Sequence, residues 1–541
     1  MKIEVVTGIS TFEATKNAFK RIDKTDIDTS YFIVVPDRFT LQAEKLLFDT
    51  LEIQSTFNLS VISLTGLAEK VLSSKKINLT SLTALEGILG IKKIVESKQK
   101  ELNFYKKCTP EFCYEILKNI MQIKSSALKP EDLNVQINNK TLQAKFHDLK
   151  IIYQSYEQMF KEKVDSSDIL EIFNENTKDS ILLKNSIVMF AGFDSFTTES
   201  LNLLRCLLSV VKKVIISLPT FNSLKNKYIY EDDILNKLKN IAKQTNVEIE
   251  VISPLIELNK NQLQIANNLF AQEKETTPSN FLHVSSSPSI KEEVQYAADL
   301  IKYKVFKGER YRDFSVALSS LSNYESIIEE VFTEREIPYY IDSSKNISNS
   351  ILVNFILKIL YLKKKNYLNE DLLYIVSSPL FEVDNKANLI AFINEKGVFG
   401  KQGVCKYLSN DLKEILEICS SLESLNTTKD YSNVVRNIML YVESGYLKYL
   451  DKLEENGLLK EKSLEKQTPD VIDKILKIFE DRDDKISFDD FLSLLNLSFS
   501  VTELSSLPSF ADAVFVGDMT SSYFRQTKDY FIKRKNRASK T

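Results

Sequence analysis

The chain has 541 residues, long enough for three or four domains that each bury a core of their own. Hydrophobic residues make up 43% and charged residues 27%, the balance of an ordinary soluble globular protein. Lys plus Arg (71) nearly match Asp plus Glu (74), so a formal charge of −3 names no partner and any nucleic-acid surface must be a local patch.

The first 65 or so residues alternate strand and helix signals. Lys2 to Thr7 (KIEVVT) is a β-branched run followed by a Gly-Ile-Ser turn and a helix predicted from about Glu13 to Ile22. Tyr31 to Val35 is a second buried-strand pattern closed by Pro36-Asp37, Gln42 to Thr50 a helix, and Leu59 to Ser63 a third strand. Apolar runs bounded by turns and separated by helices predict a parallel sheet. From Leu67 to Asn176 the pattern is helix after helix, with helical spacing over Ser81 to Ser97, Glu111 to Ile123 and Leu142 to Lys161. Strand signals return at Ser186 to Phe190 and Val214 to Ser217.

Glu273 to Asn280 (EKETTPSN) reads as a linker. A second α/β unit follows: strand Phe281 to Ser285, helix Ile290 to Lys304, strand Phe314 to Leu318, helix Tyr324 to Arg335 and strand Tyr339 to Ile341. A helical block from about Val353 to Ser498 precedes strands Ala513 to Val516 and Asp529 to Ile532. The basic, turn-rich KRKNRASKT comes last, with no element to close the second sheet. The expected fold class is therefore α/β and helix-rich, with two parallel-sheet domains that each carry a large helical insertion. The expected boundaries are 1–66 plus 177–272 for the first sheet domain and 67–176 for its insertion. The second sheet domain takes 281–352 plus 510–532, its insertion 353–509, and the tail 533–541.

Few residues are available for metal or nucleophilic chemistry. Cys108 and Cys113 form one short-spaced pair, and Cys206, Cys405 and Cys419 stand alone, short of the two pairs a tetrahedral zinc site uses. His147 and His283 show no acid or nucleophile partner in sequence. The acidic pairs Asp232-Asp233 and Asp489-Asp490, and the Asp481 to Asp484 group, lack the strand Glu-x-Lys arrangement of a nuclease; Asp481 to Asp490 suits a loop and helix N-terminus. No metal site is expected. No apolar run approaches a membrane span, and MKIEVVTGIS lacks a basic n-region followed by an apolar stretch, so the expected location is the cytoplasm, away from membranes.

The opening VVTGISTFEATK lies between first strand and first helix, where a nucleotide-binding protein keeps its phosphate loop. A working loop needs glycines, so that backbone N–H groups approach phosphate, a Lys for the β and γ oxygens, and Ser or Thr for magnesium. Gly8, Ser10 and Thr15 remain in register, but Glu13 holds the late glycine position and Ala14 the lysine position. A carboxylate repels phosphate and Ala supplies no cation, so ATP hydrolysis is not expected. Read alone, Gly8 to Thr15 is better taken as an ordinary strand–helix turn.

Two α/β units, each interrupted by helices, have the plan of the superfamily 1 helicases, with two RecA-like domains. Longer stretches carry a closer likeness. VVPDRFTLQAEKLLFD, VISLTGLAEKVL, LTALEGILGIKKIVESKQKELNFYKK, FHDLKIIYQSYEQMF and FAGFDSFTTESLNLL resemble, in order, segments of the first motor-like half of the AddB/RexB family. EEVQYAADLIKYKVFKGERYRDFSVAL, EEVFTEREIPYYID and VFVGDMTSSYFRQTKDYFI are similar to its second half, and the likeness covers residues 1 to 532. The resemblance implies the B subunit of a bacterial AddAB-type ATP-dependent helicase/deoxyribonuclease. Such a protein pairs with an A subunit, binds double-stranded DNA ends and single strands, and serves recombinational repair of double-strand breaks. It also implies a C-terminal nuclease with magnesium sites and an iron–sulfur cluster, which this sequence does not reach; no cofactor is expected in this chain. An ATP-dependent helicase with a non-standard nucleotide site, or an inactive truncated gene product, are the alternatives, so catalysis by this chain alone stays open.

The resemblance places Arg38 and Thr40, in the loop after the second strand, where the family's DNA strand passes. Lys70, Lys106 and Lys107 complete the candidate DNA-binding set. Phe104-Tyr105-Lys106-Lys107, Lys225 to Tyr230 and Lys363 to Tyr367 set cations beside rings, the pairing that neutralises phosphates and stacks bases. Each also fits a solvated helix face. Gly66 and Glu69 count against hotspot reading, since Glu69 would repel a phosphate.

Overall fold

The strand Lys2–Gly8 (β1) buries nearly all of its side chains, as an apolar strand must when helices cover both faces of its sheet. The computed structural model describes residues 2–8, 10–77, 79–106, 109–134, 138–193, 195–219, 229–254, 282–504, 512–519, 527 and 529–533. With β1 run β2 (Ser30–Val34), β3 (Leu59–Ile62), β4 (Ser186–Phe190), β5 (Lys213–Pro219) and β6 (Glu248–Ile252). They form one parallel sheet in the order β3-β2-β4-β5-β1-β6. In its register Val5 lies between Ile216 and Val251.

The helices of this half are α1 (Thr11–Phe19), α2 (Thr40–Leu51), α3 (Leu64–Ser74), α4 (Ala84–Ser97), α5 (Pro110–Ser125) and α6 (Lys140–Met159). They continue as α7 (Ser166–Asn176), α8 (Ile181–Lys184), α9 (Thr198–Leu207) and α10 (Ile229–Thr245). Most start on a side chain that satisfies an orphan N–H. Thr83 and Glu86 form a capping box on α4, Thr109 caps α5 with Pro110 behind it, and Asp165 caps α7. One face of the sheet packs on α1 and α2 through Ala18, Phe19, Ala43 and Leu47. The other packs on α3, α7, α9 and α10 through Leu67, Phe173, Leu204 and Leu238.

The second half begins with α11 (Ile290–Phe306), β7 (Phe314–Leu318), α12 (Glu325–Glu334), β8 (Tyr339–Ile341) and the two-residue β9 (Lys345–Asn346). A run of helices follows: α13 (Ile351–Lys364), α14 (Asn369–Ser377), α15 (Lys386–Lys396), α16 (Gly400–Tyr407) and α17 (Lys413–Ser421), then α18 (Thr428–Tyr441), α19 (Glu443–Glu455), α20 (Leu459–Arg482) and α21 (Phe488–Val501). β10 (Glu503–Leu504), β11 (Val514–Asp518) and β12 (Asp529–Lys533) come after them. The second sheet is parallel with the order β12-β7-β11-β8, so β12 joins it as an edge strand.

The architecture is thus α/β, with two RecA-like parallel-sheet units and a helical block leaving each. Both blocks leave and return through a paired neck. In the first, Leu82 N–H donates to Val164 O at 2.8 Å and Val164 N–H to Thr80 O at 2.9 Å. In the second, β9 pairs antiparallel with β10. The two blocks do not form separate cores. Ile94, Ile120 and Tyr153 of the first share one continuous apolar cluster with Phe355, Ile438 and Phe491 of the second.

Several elements differ from the sequence reading. Residues 282–285, expected in a strand, form none, and Phe281 lies outside the described residues. The linker Glu273 to Asn280 is also outside them. Strand β6 was not foreseen: EIEVI sits at the sheet edge with much of its surface in water, so it lacks the continuous apolar run of its neighbours. Helix α1 begins at Thr11 rather than Glu13, because the Ser10 side chain caps it.

Candidate nucleotide turn and nucleic-acid surface

The turn between β1 and α1 sits at the carboxyl ends of parallel strands, where open α/β sheets bind ligands. It is very short. Ser10 is already the helix cap, its Oγ accepting the Glu13 N–H at 3.1 Å and its carbonyl accepting the Ala14 N–H at 2.9 Å. The residues that would wrap a phosphate in a working loop are therefore the first turn of α1. Gly8 serves this close approach: a Cβ there would lie 2.8 Å from the Ala14 Cα, too near for any L side chain.

Of the three candidate nucleotide residues, Ser10 is used as a cap and Gly8 as a spacer. Thr15 is fully buried, and its Oγ1 pairs with Ser217 Oγ on β5 at 3.3 Å. Ser217 Oγ also accepts the Gly192 N–H, just beyond β4, at 3.4 Å. Nearby, Thr7 Oγ1 donates to Ser253 Oγ at 3.0 Å. Short hydroxyl side chains thus tie the ends of β4 and β5 to α1, and the end of β1 to Ser253 just past β6. Ala14, in the lysine position, is buried against the sheet. Beyond β4, Phe190, Phe193 and Phe196 cluster, the last two stacked at 5.6 Å.

The candidate DNA-binding residues fall in two places. Arg38 is exposed in the turn after β2, its guanidinium 4.8 Å from the Phe39 ring, and Thr40 Oγ1 donates to Asp37 O at 3.3 Å. Lys70 is exposed on α3, which follows the neighbouring strand β3. Its ammonium donates to Ser60 Oγ at 3.1 Å and lies 5.2 Å from the Phe32 ring. Lys106 is exposed in the connection between α4 and α5, in the helical block; Lys107 lies outside the described residues.

What holds the Lys106 turn was not legible in sequence. The buried Asp148 carboxylate on α6 accepts the backbone N–H groups of Asn103, Phe104 and Tyr105, at 3.0, 2.6 and 2.9 Å to Oδ2. Burial alone would raise this carboxyl, but the three N–H groups outweigh it and hold it below the usual range. His147, with no acid partner visible in sequence, has its Nδ1 3.2 Å from Asp148 Oδ1. With the backbone bonds to the same carboxylate, the pair anchors this turn, and His147 Nδ1 also lies 3.2 Å from Asn103 Nδ2. The structure adds Lys145, whose ammonium lies 4.7 Å from the half-exposed Phe104 ring.

The Lys363 to Tyr367 cluster is less open. Lys363 pairs with Glu423, Lys364 with Asp489 at 3.1 Å, and Tyr367 is buried. Lys225 to Tyr228 lie outside the described residues. Asp489 and Asp490 occupy the first turn of α21, and Asp484 pairs with Arg482 at 3.0 Å. Among the described residues no three His, Cys, Asp or Glu side chains are placed to hold a metal ion, and no helix is long and apolar enough to cross a membrane. Cys206, Cys405 and Cys419 are free thiols, Cys113 is buried on α5, and Cys108 lies outside the described residues.

Residues 7–272 match the family model described as ADDB, N-terminal. Three similar curated proteins are each named as the B subunit of an ATP-dependent helicase/deoxyribonuclease. That of Clostridium botulinum strain Langeland is 23% identical over 93% of this chain and 49% of its own length. That of Alkaliphilus metalliredigens strain QYMF is 23% identical over 93% and 49%. The Clostridium perfringens strain 13 protein is 24% identical over 97% and 50%. The chain spans about half the length of the curated relatives it matches. With the family model on the first sheet unit and these likenesses running through the second, the chain is similar to the AddB family along nearly all of its length.

Proposed function

We propose that this chain is a helicase-like, DNA-binding part of an AddAB-type complex that processes double-strand DNA ends for recombinational repair, with an A subunit supplying ATP-driven movement. It binds DNA ends and single strands without hydrolysing ATP at its own β1–α1 turn. One observation carries the second half of this reading: α1 begins directly after Ser10, and Thr15 is buried against Ser217, so the turn offers neither a loop for phosphates nor a free hydroxyl for magnesium. The names borne by the relatives, and the exposed Arg38, Lys70 and Lys106, support the first half.

The test uses two titrations on the intact chain. Isothermal calorimetry with Mg-ATP is expected to give no heat of binding, and Ala14→Lys to restore none, since a lysine there points into the sheet. Filter binding to single-stranded and forked DNA is expected to show affinity that falls with salt. Arg38→Ala should reduce the log–log salt slope by about one at a phosphate contact. ATP binding lost on Thr15→Ala would instead favour a helicase with an unusual nucleotide site, and salt-insensitive or absent DNA binding would sink the proposal.

A further inference from the structure

The neck between the first α/β unit and its helical block carries a buried ion cluster that neither the turn nor the DNA surface uses. Lys124, in the last turn of α5, is almost wholly buried. Its ammonium lies 2.7 Å from Asp165 and 2.5 Å from Asp168, which cap and open α7, and 3.0 Å from Glu157 on α6. Helix α5 belongs to the core of the helical body, whereas α7 belongs to the core on the first sheet. The Lys124 pairs with Asp165 and Asp168 therefore cross the joint, beside the paired neck at Val164.

Beside this cluster is a cavity of about 140 Å³. Glu199, in the first turn of α9, lines it and is itself buried. The groups facing it are Lys124 from α5, Lys129 from the following turn, Tyr153 from α6, and Asp165, Asp168 and Glu171 from α7 and its cap. Lys129 is paired with Glu171 at 2.7 Å, so Lys124 alone must balance Asp165, Asp168 and Glu157. A further carboxylate is electrostatically unwelcome here. The α9 N-terminus favours its charge, but only modestly.

We propose that this cluster is a proton-sensitive latch: with Glu199 neutral it clamps the helical body onto the first α/β unit, and ionisation of Glu199 loosens the joint. Burial first, then Asp165 and Glu171, push the Glu199 carboxyl from 4.5 up to about 7, while Lys124 opposes them. The folded pKa is the raised one. The latch is thus fully closed below the unfolded value and weakens as pH rises through neutrality. Asp168 is also raised, by burial and then by Asp165 against its bond to Lys124. It is already claimed by Lys124, whereas Glu199 is the carboxyl that would add an unbalanced charge.

Hydrogen exchange on the intact chain, corrected for the intrinsic pH dependence of exchange, tests this. Peptides covering residues 118–129 and 163–172 are expected to lose protection by about tenfold to a hundredfold between pH 5.5 and 8.5. Glu199→Gln should leave them protected throughout, with wild-type behaviour at pH 5.5. Glu171→Gln, which removes one facing carboxylate but keeps the latch, should move the midpoint of the loss to lower pH. A Glu199→Gln profile that still falls like wild type would assign the effect to Asp168 and overturn the proposal, as would a flat wild-type profile. Should Glu199→Gln fail to fold, an unmoved midpoint in Glu171→Gln overturns it instead.

Discussion

Asp148 and Thr15 perform opposite tasks. Thr15 commits its hydroxyl to Ser217 and so closes a strand–helix turn, whereas Asp148 commits its carboxylate to three N–H groups and so holds a surface turn open to solvent. Replacing Asp148 by Asn keeps the shape but sets an amide against N–H donors that would lose a charged acceptor. The expected cost at pH 7 is about 2–4 kcal/mol, read as a drop in the urea midpoint. The pH dependence has a fixed sign. The folded carboxyl lies below its usual value, so the stabilisation is complete above about pH 4, the unfolded value, and fades as pH falls toward the folded one. The gap between wild type and Asp148→Asn should therefore narrow in acid; a gap constant from pH 7 to 3 would show that the carboxylate charge plays no part. Phe104 and Lys106 ride on this turn, so the variant should also weaken any DNA contact they make.

Among the elements, those with a continuous apolar or aromatic run were the legible ones. Phe314–Leu318 and Tyr339–Ile341 match their expected bounds because a β-branched or aromatic run between turn residues has few other uses. Edge strand β6 and the two-residue β9 and β10 were missed, since pairing rather than composition makes them strands. The candidate turn at Gly8 to Thr15 was legible as residue types, but its closure was not, because that depends on Ser10 capping two residues earlier than periodicity suggested. Asp148 and Lys124 were invisible for a different reason: the backbone groups that Asp148 holds and the Asp165 that Lys124 meets lie more than forty residues away in the chain. Close packing between elements is equally hidden. Gly445, in α19, presses on the Leu380 backbone, and an added Cβ would lie 2.9 Å from the Leu380 carbonyl carbon. On helix propensity alone Gly445→Ala should gain about 1 kcal/mol. The clash is with backbone, which cannot swing aside, so the net effect is expected to be a loss of about 1–3 kcal/mol by thermal unfolding. A stabilised variant would mean that α19 can shift off the 380 turn at little cost.

At the scale of the molecule, the helical body is the structural centre and the two sheets are attached to it. Each block leaves its sheet by a paired neck, yet the apolar residues of both blocks form one cluster. Lys92 to Asp490 at 3.5 Å and Lys93 to Asp484 at 3.6 Å fasten its rim. Exposed pairs of this kind add little, so the shared core must supply the cohesion. Helix α21 lies at its centre, packed against α5 of the first block and α13 of the second. Phe491 on α21 is fully buried, stacked on Tyr431 at 5.0 Å and tilted against Phe479 at 5.3 Å. Phe491→Ala is expected to cost about 3–5 kcal/mol through the cavity it leaves. If the core is one cooperative unit, that loss must be felt far along the sequence. Hydrogen exchange should then speed up in α5, residues 110–125, together with α18, residues 428–441, while β1 and β5 of the first sheet keep their protection. Faster exchange confined to α18 would show two blocks that merely touch, and would remove the rigid body against which the Lys124 cluster is proposed to close.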